Sequence, residues 1–224
     1  MALSFVQATD AANVAGTTSA LAFVGNVTIG SLLLVSGRND SNLTTSVSDT
    51  IGNVWVNVTT NGLSIWYTVN KTTGANTVTV TYSSSNANNN ILVAEYSNPL
   101  ASPLDGFVGA GSTTTWSVGP LTTHYTNETL IIILLSYGGG GTVSTSGATL
   151  RIDAITGGKM ALLDINESLA GVYTQTGTLS VGTGLVYLAG FKSSTSVPVG
   201  GGDSISSDRT VQHLTTQLNH LDQV

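Results

Sequence analysis

The sequence contains no cysteine in its 224 residues, which excludes disulfide staples, thiolate nucleophiles and thiolate metal sites. Charge is almost as scarce. Asp, Glu, Lys and Arg together make up 8% of the chain, against about 25% in an ordinary soluble domain. The six cations, Arg38, Lys71, Arg151, Lys159, Lys192 and Arg209, are scattered, and the net charge is −6. Binding a phosphate backbone needs clustered cations that displace counterions, so nucleic acid is not expected as a partner. Long apolar runs are missing as well. The longest, residues 130–135, has six residues, where a bilayer span needs about 20, so membrane insertion is not expected either. The opening MALSFVQATD has neither the basic start nor the long apolar stretch of a signal peptide.

What is present is a 41% apolar fraction set among Thr, Ser, Asn and Gly. That fraction is enough for a genuine core, and disorder is a poor reading because disordered chains combine low hydrophobicity with high charge. A polar but nearly uncharged surface suits exported proteins, fibres and particle shells. Without an export signal, the expectation is a chain that becomes exposed by assembling into a particle. A mature secreted chain numbered from an added Met is the alternative.

Short β-type runs separated by Gly, Asn and Ser continue to about residue 193. Strands are predicted at 2–8, 19–24, 31–37, 53–60, 63–69, 76–83, 90–97, 105–111, 114–120, 129–137, 148–155, 159–165, 170–176 and 184–192. The expected fold class is all-β, an antiparallel jelly-roll-type β-sandwich of two sheets over residues 1–193. Asn61-Gly62 is the preferred type I′ turn. It would pair Val58 with Ile65, Val56 with Tyr67 and Val54 with Val69 on a core face. The other face would then carry Trp55, Asn57, Thr59, Ser64, Trp66 and Thr68. LIIILLSY (130–137) is continuously apolar, the mark of a central strand covered on both faces.

After residue 193 the composition changes. Residues 194–205 read as a flexible Gly/Ser linker. Residues 206–224 read as one short amphipathic helix, with Ser206, Ser207 or Asp208 able to cap it. Val211, Leu214, Leu218 and Leu221 fall at a, d, a, d of a heptad. Two heptads are marginal alone in water, so this stripe is expected to oligomerise or anchor the chain, or else to fold back on the sandwich.

No catalytic constellation emerges. Serine is abundant but no G-x-S-x-G elbow occurs, and the dispersed carboxylates suggest no acid/base pair. His213 and His220 flank the apolar stripe, and His124 has no partner identifiable from sequence. Asp40 and Asp49 with Asn39 and Asn42 could line a Ca²⁺ loop, although such loops are far more often plain turns. No metal or cofactor is expected. The N-x-S/T sequons at Asn26, Asn42, Asn57, Asn70, Asn127 and Asn166 follow from a composition rich in Asn, Ser and Thr. Trp66, opposite Asn57 and diagonal to Trp55, forms with Trp55 either a glycan-stacking platform or a patch covered by a neighbouring loop, strand or subunit.

Six fragments occur in order: VGNVTIGSLLLVSG (24–37), DTIGNVW (49–55), GANTVTVTY (74–82), ILVAEYSNP followed by Asp105-Gly106, LTTHYTNETLII (121–132) and GLVYLAGFK (184–192). Together they resemble a jelly-roll-like domain of bacterial surface proteins and phage-encoded structural proteins. That resemblance spans about residues 1–193 and implies binding or assembly rather than catalysis. It makes a virion structural protein the expected role, as a capsid decoration, turret, head-fibre or tail-associated subunit at the virion surface. The expected partners are its own copies, a trimer first, other capsid or tail proteins, and host surface glycans. A carbohydrate-binding or adhesive module and a self-assembling filament subunit, extracellular or on the cell surface, are the alternatives.

Overall fold

The computed structural model describes residues 2–38, 44–59, 63–137, 142–145, 147–153, 160–180 and 182–199. Residues 200–224, which take in the second half of the expected 194–205 linker and the 206–224 segment with Val211, Leu214, Leu218 and Leu221, lie outside the described residues.

The described residues form strands and no helix: β1 (Ser4–Ala22), β2 (Leu32–Arg38), β3 (Thr44–Asp49), β4 (Val56–Thr59), β5 (Ser64–Val69), β6 (Thr77–Ser97), β7 (Pro99–Ser112), β8 (Thr115–Thr122), β9 (Glu128–Ser136), β10 (Val143–Thr145), β11 (Thr149–Asp153), β12 (Met160–Glu167), β13 (Val172–Leu179) and β14 (Gly184–Ser193). Every pairing is antiparallel. The strands make three sheets rather than the two expected. The first runs β1-β6-β2-β5-β4 with β3 also on β6, the second β11-β12-β9-β14-β7, and the third β10-β13-β8.

Alternation along the strands explains why a third sheet is needed. In β9, Ile131, Ile133 and Leu135 face the first sheet, where they meet Leu32, Leu34, Ile65 and Tyr67. Leu130, Ile132 and Leu134 point the opposite way, against Trp116, Val118, Leu121, Val143 and Leu179 of the third sheet. The unbroken apolar run is therefore covered on both faces, as its composition requires.

The first sheet is also covered twice, by a different device. Its outer face carries Leu33, Val35, Ile91 and Val93, which pack on Val78, Val80 and Tyr82 from the beginning of β6 itself. The long β1/β6 ribbon doubles back over its own sheet. Register shifts cluster in β1 between Ala11 and Thr18, around Gly16 at φ 126°. The Tyr82 hydroxyl reaches back to donate to the Asn90 carbonyl at 3.3 Å. At the overlap, a Cβ on Gly37 would lie 2.9 Å from Val80 Cγ1, so only glycine lets the layers meet there. The segments predicted at 2–8 and 19–24, and those at 76–83 and 90–97, are thus halves of two continuous strands.

This doubling-back reverses part of the hairpin reading. Val56 lies opposite Tyr67 and Asn57 opposite Trp66, but a bulge then places Thr59, not Val58, opposite Ile65. Val54 precedes β4 and is 84% exposed, and Val56 is exposed as well. The face expected to be polar is the one that β6 and β1 cover, so it takes Trp55 and Trp66 into an apolar cluster.

Polar cross-links join the layers. Arg151 on β11 grips Asp164 on β12 through Nε at 2.8 Å and a second guanidinium nitrogen at 3.0 Å, and Tyr96 on β6 donates to the same carboxylate at 2.9 Å. Glu95, fully buried, accepts from Gln7 at 2.6 Å and from the Thr28 N–H at 2.8 Å. If β9 is a two-faced core strand, Ile132→Ala and Ile133→Ala should each destabilise the protein by about 2–5 kcal/mol in denaturant unfolding. A sheet with one wet face would make one of the two nearly free.

Candidate functional site

The residues singled out from sequence fall in different places. Trp55 is 9% exposed and Trp66 half-buried, both against Leu33, Val35 and Val80. Strands of the same chain cover them, so they offer no open stacking platform, while Asn57 stands exposed on β4. Asp49 is occupied by turn chemistry rather than set up for Ca²⁺. It accepts from the N–H groups of Gly52 at 2.6 Å and Asn53 at 2.9 Å, and from the side chains of Asn53 and Asn76. Asp40, Asn39 and Asn42 lie outside the described residues, as do His213 and His220.

His124 has a partner after all, and it leads to a cluster that sequence reasoning missed. Gly190 on β14 stands opposite Gly106 on β7, while the next residue, Phe191, stands opposite Leu104. Asp105 is the extra residue of that bulge, and a bulge re-aims its side chain. On the other side of β14, Glu128 opens β9 opposite Lys192. Alternation puts Glu128, Gly190 and Gly106 on the face toward the third sheet. A Cβ on Gly190 would sit 2.8 Å from Glu128 Oε2. Glycine in the middle strand is what lets two carboxyls from its two neighbours approach each other.

The turn between β8 and β9 closes over this pair. The His124 N–H donates to Asp105 Oδ2 at 2.8 Å, with the imidazole Nδ1 3.1 Å from the same oxygen. The Tyr125 N–H donates to Glu128 Oε1 at 3.1 Å. Asp105 and Glu128 are buried, while the His124 ring is mostly in water. Lys192 lies over the Tyr125 ring, its Nζ 4.7 Å from the centroid.

Burial pushes the Glu128 carboxyl up to about 7, with the Asp105 charge and hydrogen bonding to Asp105 adding to the rise; the Tyr125 N–H and Lys192 oppose it. Glu128 Oε2 has no donor in ordinary hydrogen-bond geometry. A proton on Glu128 lets it donate toward Asp105 and removes the cost of a second buried negative charge. The arrangement sets a buried carboxyl with a raised pKa beneath a solvent-facing imidazole. The sequence does carry a trace of it: a glutamate heading the most apolar run, and a glycine inside another buried strand. The bulge that brings in Asp105 has no such trace.

A second feature lies on the edge of the sandwich. A groove of ≈ 380 Å³ is lined by Thr59 at the end of β4, by Phe107, Gly109 and Gly111 on β7, and by Leu185 and Tyr187 on β14. Gly109 is small for a reason, since a Cβ there would lie 2.4 Å from Tyr187 Cε1. Phe107 is well exposed, and the groove lining carries no formal charge.

The raised Glu128 carboxyl gives a pH dependence of fixed sign. Its ordinary value is 4.5 and its folded value about 7, so its stabilisation is complete below about 4.5 and is lost as pH rises through about 7. Glu128→Gln should gain on the wild type by about 1–3 kcal/mol between pH 5 and pH 8 in denaturant midpoints. Parallel pH profiles for the two proteins would refute the assignment.

Comparison with known proteins adds no identity to this geometry: the chain matches no protein-family profile and no curated protein.

Proposed function

We propose that this chain is a non-enzymatic structural protein of a virion surface, a capsid decoration, turret, head-fibre or tail-associated subunit. In this reading the β-structure is a jelly-roll-type sandwich that projects outward. Residues 194–205 act as linker, and the 206–224 helix anchors the chain or joins its copies through Val211, Leu214, Leu218 and Leu221. The observation that carries the reading is how the buried polar groups are employed. Asp164, Arg151 and Tyr96 tie sheet to sheet, Glu95 ties a loop to a strand, and Asp49, Asn53 and Asn70 tie loop to loop. Buried polarity invested in cross-links builds a rigid layered body, which suits a part held in place by others. The low charge and the leucine stripe of the sequence support the same reading.

A second reading, a glycan-binding or adhesive module, is favoured by one specific observation: the uncharged groove beside the exposed Phe107 ring. Aromatic faces stack on sugar rings, and a groove of ≈ 380 Å³ is within the size range of small-ligand pockets. The third, a filament subunit, draws only on β7, which pairs through β14 and with no other strand among the described residues.

Deleting residues 205–224 should convert a homo-oligomer, a trimer first, into a monomer in mass measurements by light scattering. A truncated chain that assembles as the full one does would end the anchoring role. For the second reading, Phe107→Ala should weaken binding to any glycan that the intact protein selects on an array by about tenfold or more, with its thermal midpoint unmoved. A blank array for the intact protein would leave that reading without support.

A further inference from the structure

We propose that the Asp105–Glu128 carboxyl pair is a proton-operated catch on residues 195–199, the segment through which the chain leaves the sandwich. The proposal concerns described residues only and holds whatever the 206–224 segment binds.

The turn at 123–127 is a clamp with two sides. Its inner side depends on the pair, because the N–H groups of His124 and Tyr125 donate to Asp105 and Glu128. Its outer side holds the departing segment. The Val199 N–H donates to the His124 carbonyl at 2.8 Å, and the Thr126 N–H to the Val197 carbonyl at 2.9 Å. The Asn127 carbonyl accepts from Ser193 Oγ at 2.9 Å and Ser196 Oγ at 3.1 Å, and Asn127 Nδ2 donates to the Thr195 carbonyl at 3.3 Å. Asn127 adopts φ 54°, a left-handed geometry that asparagine tolerates better than most residues. The same backbone units thus read the carboxyls on one side and grip the exit segment on the other.

The charges around Glu128 decide what proton loss does. Asp105 faces it from β7, and His124 and Tyr125 from the turn. Lys192 faces it from β14, Glu167 lies opposite it on β12, and Tyr173 approaches from β13. Three carboxyls therefore meet one lysine, which rests on the Tyr125 ring, and one imidazole, which is charged only when protonated. A second negative charge on the pair can be relieved by water, and the turn is the part that must move to admit it. Its outward bonds are then the ones lost. At the acid end the exit segment is held, and above neutrality it is released.

The test is hydrogen exchange on the full chain at pH 5.5 and pH 8, corrected for intrinsic exchange. Protection at the Thr126 and Val199 amides should fall roughly 10- to 30-fold from the lower pH to the higher in the wild type. The fall should shrink below about threefold in Glu128→Gln and in Asp105→Asn, and persist in His124→Asn. Either carboxamide variant suffices if the other does not fold. The catch is overturned if wild-type protection does not change with pH, or if His124→Asn abolishes the change while the carboxamide variants keep it. Protection at Thr126 and Val199 no lower at pH 8 than that at the Ile131 and Ile133 amides would overturn it too, because the turn would then open only with the whole molecule.

Discussion

The molecule depends on one packing constraint: its two central sheets are apolar on both faces, and an apolar face cannot be left in water. Burying a leucine or isoleucine side chain contributes about 1.5–3 kcal/mol. β9 alone carries six such residues, three on each side. A two-layer sandwich would satisfy half of them. The third sheet on one flank and the folded-over β1/β6 ribbon on the other are the two solutions to this excess, and the number of layers follows from it.

The same constraint explains the few buried ionisable groups. In a stack this thick, the ends of inner strands are also dry, so a carboxyl there needs a guanidinium, several N–H donors or a proton. Asp164 has Arg151 and Tyr96, and Glu95 has Gln7 and the Thr28 amide. Glu128 has one backbone N–H and another carboxyl. It is the member of this set whose neutralisation is left to the solvent's proton activity, which is why a structural position becomes a titrating one.

Much of the fold was legible in the sequence, because alternation and apolar runs report burial directly. The all-β class, most strand positions and the two-sided cover of LIIILLSY follow from such patterns. Two kinds of information were hidden. TTSVSD (44–49) and SSNANN (84–89) are polar enough to read as loops, yet each lies within a strand. Pairing to long neighbours overrides propensity there. The second kind is which face of β4 and β5 is wet. Val54 and Trp55 differ by a single step of the alternation, and nothing local says that distant β6 will cover the tryptophan. The carboxyl pair was invisible for a related reason: its two members are 23 residues apart (128 − 105) and meet across a third strand.

The ribbon that doubles back also sets the order in which the chain can mature. β1 is made before its partner, and Ser4 pairs with Ser97 and Ala22 with Thr77, so the β1 segment has no sheet to join until β6, 55 (77 − 22) to 93 (97 − 4) residues further on, has been synthesised. Contacts this distant in sequence make for slow folding. A growing chain therefore carries a long unpaired edge during translation. The side chains of that edge are mostly small and nearly uncharged, six alanines and three threonines with Asp10 the one ionisable group, which limits the apolar surface it can offer to a wrong neighbour.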